Sequence, residues 1–99
     1  RTNNEQGLVV SLPNKHLTTF SKADQFIELG KINDLNLSYN YLKIIEDIFL
    51  GIKNMKKLDL SANHIKLIEH LENLSKLEVL NLSTNRISKI ENLDSLIKL

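Results

Sequence analysis

Asn40, Asn63 and Asn85 stand 23 and then 22 residues apart, each set between apolar neighbours: Leu37 and Leu42, Leu60 and Ile65, Leu82 and Ile87. A primary amide offers two donor hydrogens and an acceptor oxygen, so in an apolar setting it either engages a ligand or satisfies main-chain groups that lack partners. An unpartnered buried amide costs about 1–3 kcal/mol. Placed at the same point of successive stacked coils, the three amides remove that cost by forming a ladder between coils, so we read them as structural.

The other chemistry-bearing types do not converge. His64 and His70 lie six residues apart, His16 is remote, and no third ligand recurs at metal spacing, so surface histidine is the reading for all three and no metal site is predicted. Gly7, Gly30 and Gly51 are scattered and make no phosphate loop. There is no cysteine, hence no disulfide, no thiolate nucleophile and no thiolate metal site. No catalytic residues and no cofactor are assigned, and an enzyme active site is not expected.

The elements that must position the amides recur with them. INDLNLSYNYLKII from Ile32, MKKLDLSANHIKLI from Met55 and LEVLNLSTNRISKI from Leu77 align without gaps. In each, a leucine pair (Leu35/Leu37, Leu58/Leu60, Leu80/Leu82) alternates with outward positions at period two, which predicts a short strand. After the strand the chain must turn, and the turn leaves main-chain groups for the asparagine to satisfy. The remainder of each unit spaces its apolar residues by three, as in Ile68, Leu71 and Leu74, which predicts a 3₁₀ turn or short helix. The first unit carries one extra residue between Ile48 and Ile52, so its return segment is predicted to be longer, with Gly51 easing the distortion.

The recurring unit resembles the leucine-rich-repeat pattern, L-x-x-L-x-L-x-x-N-x-L. The expected fold is an α/β right-handed solenoid, with short parallel strands on the concave face and 3₁₀ or short helical segments on the convex face. Residues 1–99 read as a single domain, divided into an N-terminal cap with an irregular coil at 1–31 and repeats at 32–54, 55–76 and 77–98. In the first coil Val10 and Leu12 are the strand pair, and Lys15 occupies the asparagine position, where it cannot accept from a turn amide. Ser21 with Asp24 resembles a helix N-cap, Phe26, Ile27 and Leu29 give an apolar face, and Gly30 supplies a stop. Leu99 stands where Leu77 and Met55 stood, so further repeats or a C-terminal cap are expected after it.

The run I-x-x-I-x-x-L-x-x-L, as Ile65, Ile68, Leu71 and Leu74 and again as Ile87, Ile90, Leu93 and Leu96, resembles the intracellular subclass with repeats of about 22 residues. The regulatory subunit of type-1 protein phosphatase typifies that subclass, and axonemal, centrosomal and ciliary proteins share it. Internalin-type repeats have the same length but carry a proline in the return segment, and the only proline here is Pro13. The resemblance implies a non-catalytic protein-interaction module or scaffold. Narrower alternatives are a regulatory or targeting subunit of type-1 phosphatase, an axonemal or centrosomal component, or the non-catalytic arm of a multidomain enzyme.

The expected partner-binding positions are the outward strand residues: Asp34, Asn36 and Ser38, then Lys57, Asp59 and Ser61, then Val79, Asn81 and Ser83. Tyr39 and Arg86 stand at the rim, with Tyr41 beside them. Arg and Tyr are hot-spot types, whereas the strand positions are small and polar. With 13 basic against 12 acidic residues the net charge is +1, too weak a field to gather nucleic acid. The longest apolar run falls far short of the roughly 18 residues of a membrane span, so the partner is expected to be another protein. The absence of cysteine fits a cytoplasmic setting, with nuclear or ciliary placement compatible. N-x-S sequons at Asn36, Asn73 and Asn81 read as by-products of the repeat.

Overall fold

The computed structural model describes residues 7–20, 29–96 and 98. The expected N-cap at Ser21 and Asp24 and the apolar pair Phe26 and Ile27 lie outside those residues.

Four strands, β1 (Leu8–Ser11), β2 (Ile32–Asn36), β3 (Lys57–Asp59) and β4 (Val79–Asn81), form one sheet in chain order. All three pairings are parallel, and Val10, Leu35, Leu58 and Leu80 lie in one register row. A parallel pair needs a crossover between its strands, and here the crossover is the rest of the coil. The ladder runs past the strand ends: Leu12, Leu37 and Leu60 each donate their N–H to the carbonyl of the next coil, at Asn36, Asp59 and Asn81, over 2.8 Å.

Where the chain leaves the sheet, Tyr39, Ala62 and Thr84 all adopt left-handed backbone, with φ of 57°, 55° and 56°. Asn14 holds the equivalent place in the first coil at 54°. This conformation strains a side chain with a Cβ, and it turns the following asparagine inward. Beyond the turn the main-chain bonds reverse direction: Tyr41, His64 and Arg86 donate back to Leu17, Leu42 and Ile65 of the preceding coil, each over 2.8 Å.

Return segments are built from bonds three residues apart. Leu74 donates to Leu71, Leu77 to Leu74 and Leu96 to Leu93, at 3.0–3.1 Å. In the first full repeat the segment is longer and becomes a 3₁₀ helix, Asp47–Gly51. Gly51 does not ease a distortion there, because its φ is not positive and a Cβ would meet nothing within 4 Å. The glycine that the fold does require is Gly7, at φ 71°, where a Cβ would stand 2.8 Å from that of Asn33.

The core is a stack of equivalent apolar rows: Leu35 with Leu58, Leu37 with Leu60, Ile32 with Met55 and Leu77, and Ile45 with Ile68, all essentially inaccessible. Phe20 and Phe49 meet at a ring separation of 5.7 Å and fill the wider first turn. Leu80, Leu82, Ile87 and Leu93 of the third repeat are only partly buried, and Ile90 is 77% exposed. Among the described residues no coil packs on their far side. No helix among them is long and apolar enough to cross a membrane.

Candidate interaction surface

The asparagine ladder sets the shape of the surface. Asn63 Oδ1 accepts the Leu42 N–H at 3.0 Å, while Nδ2 faces the carbonyls of Leu37, Leu60 and Ser61 at 3.0–3.1 Å. Asn85 repeats this one coil on, accepting from Ile65 and donating to Leu60, Leu82 and Ser83. Asn40 accepts from both Lys15 and Leu17 and donates to Leu12, Leu37 and Ser38. The ladder therefore starts at Asn40 and serves the first coil from above, which is how that coil manages with Lys15 in place of an amide.

With the strands locked in this way, Asp34, Asn36, Lys57, Asp59, Val79 and Asn81 come together around one open depression of about 220 Å³. Asp34 sits level with Lys57 and Val79, and Asn36 with Asp59 and Asn81. One row thus carries an anion, a cation and an apolar side chain, and the other a carboxylate between two amides.

The three serines differ from expectation. Ser38 and Ser61 are buried, at 5% and 9% exposure, and only Ser83 is open to solvent. Ser38 and Ser61 are followed by a further coil and Ser83 is not, among the described residues, while all three share a turn set two residues upstream. Asn36, Asp59 and Asn81 each turn Oδ1 back onto the N–H of the serine, at 2.9–3.0 Å, forming an Asx turn that ends the strand. Asp59 and Asn81 also accept from the serine hydroxyl, at 2.6 and 2.7 Å. The strand has stopped alternating by that point, so the serine does not continue the outward row. The recurrent N-L-S and D-L-S triplets were the available signal for this turn.

The rim residues take separate positions. Tyr39 is exposed at the left-handed turn, while Arg86 lines a different cavity with Lys43, Ile44, His64 and Lys66. Tyr41 lies between two imidazoles, stacked on His16 at 5.7 Å and on His64 at 5.9 Å. These contacts join residues of three successive coils, and sequence reasoning treated both histidines as isolated surface groups.

His70 is also engaged. Its Nδ1 lies 2.6 Å from the Ile45 carbonyl, so Nδ1 carries the proton. That bond is the main cause of a pKa raised above the ordinary histidine value, opposed by desolvation and aided by Glu69, Asp47 and Glu72. Asn92 makes the equivalent bond to Ile68 at 2.6 Å, so both belong to a second coil-to-coil row on the return side. No group of three or more His, Cys, Asp or Glu among the described residues is placed to hold a metal ion.

Comparison with known proteins agrees with this geometry. No curated protein is similar enough to match the chain. Among solved structures, an internalin from Listeria monocytogenes is similar, with a TM-score of 0.66 and 27% identity over 72% of the chain. The chain spans only 21% of that protein's length. The return segments here carry no proline, and the expected contrast with internalin-type repeats does not separate this chain from that structure. Two family models match, Leucine Rich repeats (2 copies) over residues 53–95 and Leucine rich repeat over residues 9–65. With coils, ladder and family models in agreement, this chain belongs to the leucine-rich-repeat family.

Proposed function

We propose that the chain is a non-catalytic protein-interaction module that seats a partner on the face formed by β2, β3 and β4. The observation that carries this reading is the open depression shared by three strands, with Asp34, Lys57 and Val79 side by side across it. The sheet fixes the backbone spacing of these positions, so no main-chain ordering is needed on binding. Membership of the family and the likeness to an internalin support the interaction role.

Lys57 and Val79 are exposed and make no side-chain hydrogen bond or ion pair among the described residues, so they can be changed without disturbing the Asx turns. Affinity capture with the wild-type chain and with a Lys57→Glu/Val79→Asp variant tests the reading. A protein retained by the first and lost by the second supports it, and an identical captured set refutes it.

A narrower role as a regulatory subunit of type-1 protein phosphatase draws on the Ile65, Ile68, Leu71 and Leu74 spacing. Absence of binding to that phosphatase at about 100 µM, weaker than most specific complexes, removes it. Cytoplasmic placement rests on the cysteine-free composition. A further coil or cap over the third repeat is supported by Ile90, which is 77% exposed where its counterparts Ile45 and Ile68 are inaccessible.

A further inference from the structure

The turn side of the stack carries a second surface, distinct from the strand face. Lys43, Ile44, His64, Lys66 and Arg86, from three successive coils, line an open cavity of about 550 Å³. The lining holds three permanent cations and no carboxylate. Among the described residues, none of the three cationic side chains has an ion pair or hydrogen bond. Lys43 and Lys66 hold equivalent positions of adjacent coils, with Arg86 one coil further on, so an anion in the cavity meets positive charge from all three.

The cavity also has an apolar part. Ile44 is 56% exposed, and Leu67, its equivalent on the next coil, is 46% exposed. Arg86 is of a residue type that dominates binding hot spots, which the strand face lacks.

From this combination we infer that the Lys43/Lys66/Arg86 rim docks an acidic segment of a partner protein, carrying one aliphatic side chain that packs on Ile44. Carboxylates of the segment pair with the three cations, and arginine engages a carboxylate through two parallel bonds. A single-stranded nucleic acid is also anionic, but it needs free ring faces on which bases can stack. The cavity lining holds no Tyr, Trp or Phe, and Tyr41 beside it is already stacked on His16 and His64, at 5.7 and 5.9 Å. The exposed Ile44 and Leu67 likewise match an aliphatic side chain and have no role against a phosphate backbone.

The choice of a protein partner rests on the interaction-module reading, and the test separates the two surfaces. A short fluorescein-labelled peptide, with one leucine flanked on both sides by glutamates, is titrated by anisotropy against the wild-type chain. It is also titrated against Lys66→Glu/Arg86→Glu and against the strand-face variant Lys57→Glu. Lys66 and Arg86 are exposed, so the fold should survive. If circular dichroism shows otherwise, Lys43→Glu replaces the pair.

Saturable binding, weakened about tenfold or more by the rim variant and unchanged by Lys57→Glu, is the expected result. A peptide with serine in place of leucine should bind more weakly. No saturation by about 1 mM, equal binding to the rim variant, or equal binding of the serine peptide overturns the inference. Displacement by oligouridylate at lower concentration than by unlabelled peptide also overturns it, in favour of nucleic acid. Loss of peptide binding with Lys57→Glu but not with the rim variant overturns it in favour of the strand face. Failure at the rim leaves the capture experiment on the strand face unaffected.

Discussion

Replacing Asn63 with alanine removes four contacts, but most of the groups left behind keep another partner. The Leu37 carbonyl retains Asn40 Nδ2 at 2.9 Å, the Leu60 carbonyl retains Asn85 Nδ2 at 2.8 Å, and the Ser61 carbonyl retains the Tyr39 N–H at 3.0 Å. Only the Leu42 N–H, which donates to Asn63 Oδ1, is orphaned in the core. One buried unsatisfied donor costs about 1–3 kcal/mol, so we expect a loss near 2 kcal/mol, equivalent to about 10 °C in melting temperature for a domain of this size. Asn63→Asp is the sharper case. Its carboxylate still accepts from Leu42 but turns acceptor oxygens toward three carbonyls, so at neutral pH it should cost more than alanine. Protonation restores a donor, so part of that excess should return in acid. Asn81→Ala, which removes only the solvent-exposed contacts to Ser83, should cost less than about 1 kcal/mol. Urea unfolding followed by circular dichroism measures all three. An Asn63→Ala loss below about 0.5 kcal/mol, or an aspartate tolerated as well as alanine, refutes the reasoning.

Further perturbations bear on other parts of the account. Gly7→Ala places a Cβ 2.8 Å from Asn33 Cβ and 3.0 Å from the Lys31 carbonyl at positive φ, and should destabilise by about 1–3 kcal/mol. Gly51→Ala should be neutral or gain up to about 1 kcal/mol through the unfolded state; thermal melts distinguish them. Ala62→Gly relieves left-handed strain of about 1–2 kcal/mol against a glycine entropy cost of about 0.5–1 kcal/mol, so a small net gain is expected in urea unfolding. His70 has a folded pKa above its unfolded value of 6.5, so protonation favours the folded chain. That contribution is complete below the unfolded value and is lost as pH rises through the folded one. His70→Asn copies Asn92 without titrating, so the wild-type stability advantage over this variant should shrink from pH 6 to pH 8 in melting experiments.

What the sequence revealed depended on whether a residue's role was forced by its own burial. An asparagine between leucines has few stable explanations, so the ladder of Asn40, Asn63 and Asn85 was readable, as was the alternation of Leu58 and Leu60 that fixes the strand. Asn36, Asp59 and Asn81 were half-read: a short polar residue suits both an outward strand position and an Asx turn, and here it holds both. The burial of Ser38 and Ser61 depends on the coil that follows each, which Ser83 lacks among the described residues, and no local pattern signals it. The Tyr41 stack and the His70 bond join groups more than 20 residues apart, and they depend on how closely the coils superpose rather than on any local pattern. Gly51 was misassigned because an extra residue suggested a kink, whereas a 3₁₀ helix absorbs it without positive φ.

The central claim is that a protein partner is held on the face of β2, β3 and β4. Its most direct test is photo-crosslinking in a cell lysate with a benzophenone amino acid placed at Val79. The comparison is the same group at Glu72, which is exposed on the return side, inside the 3₁₀-type turn that the Leu74 N–H closes on the Leu71 carbonyl. A discrete protein adduct at position 79, absent at 72 and suppressed by Lys57→Glu, is the expected result. An adduct of equal yield at 72, or none at 79 while 72 crosslinks, contradicts the account.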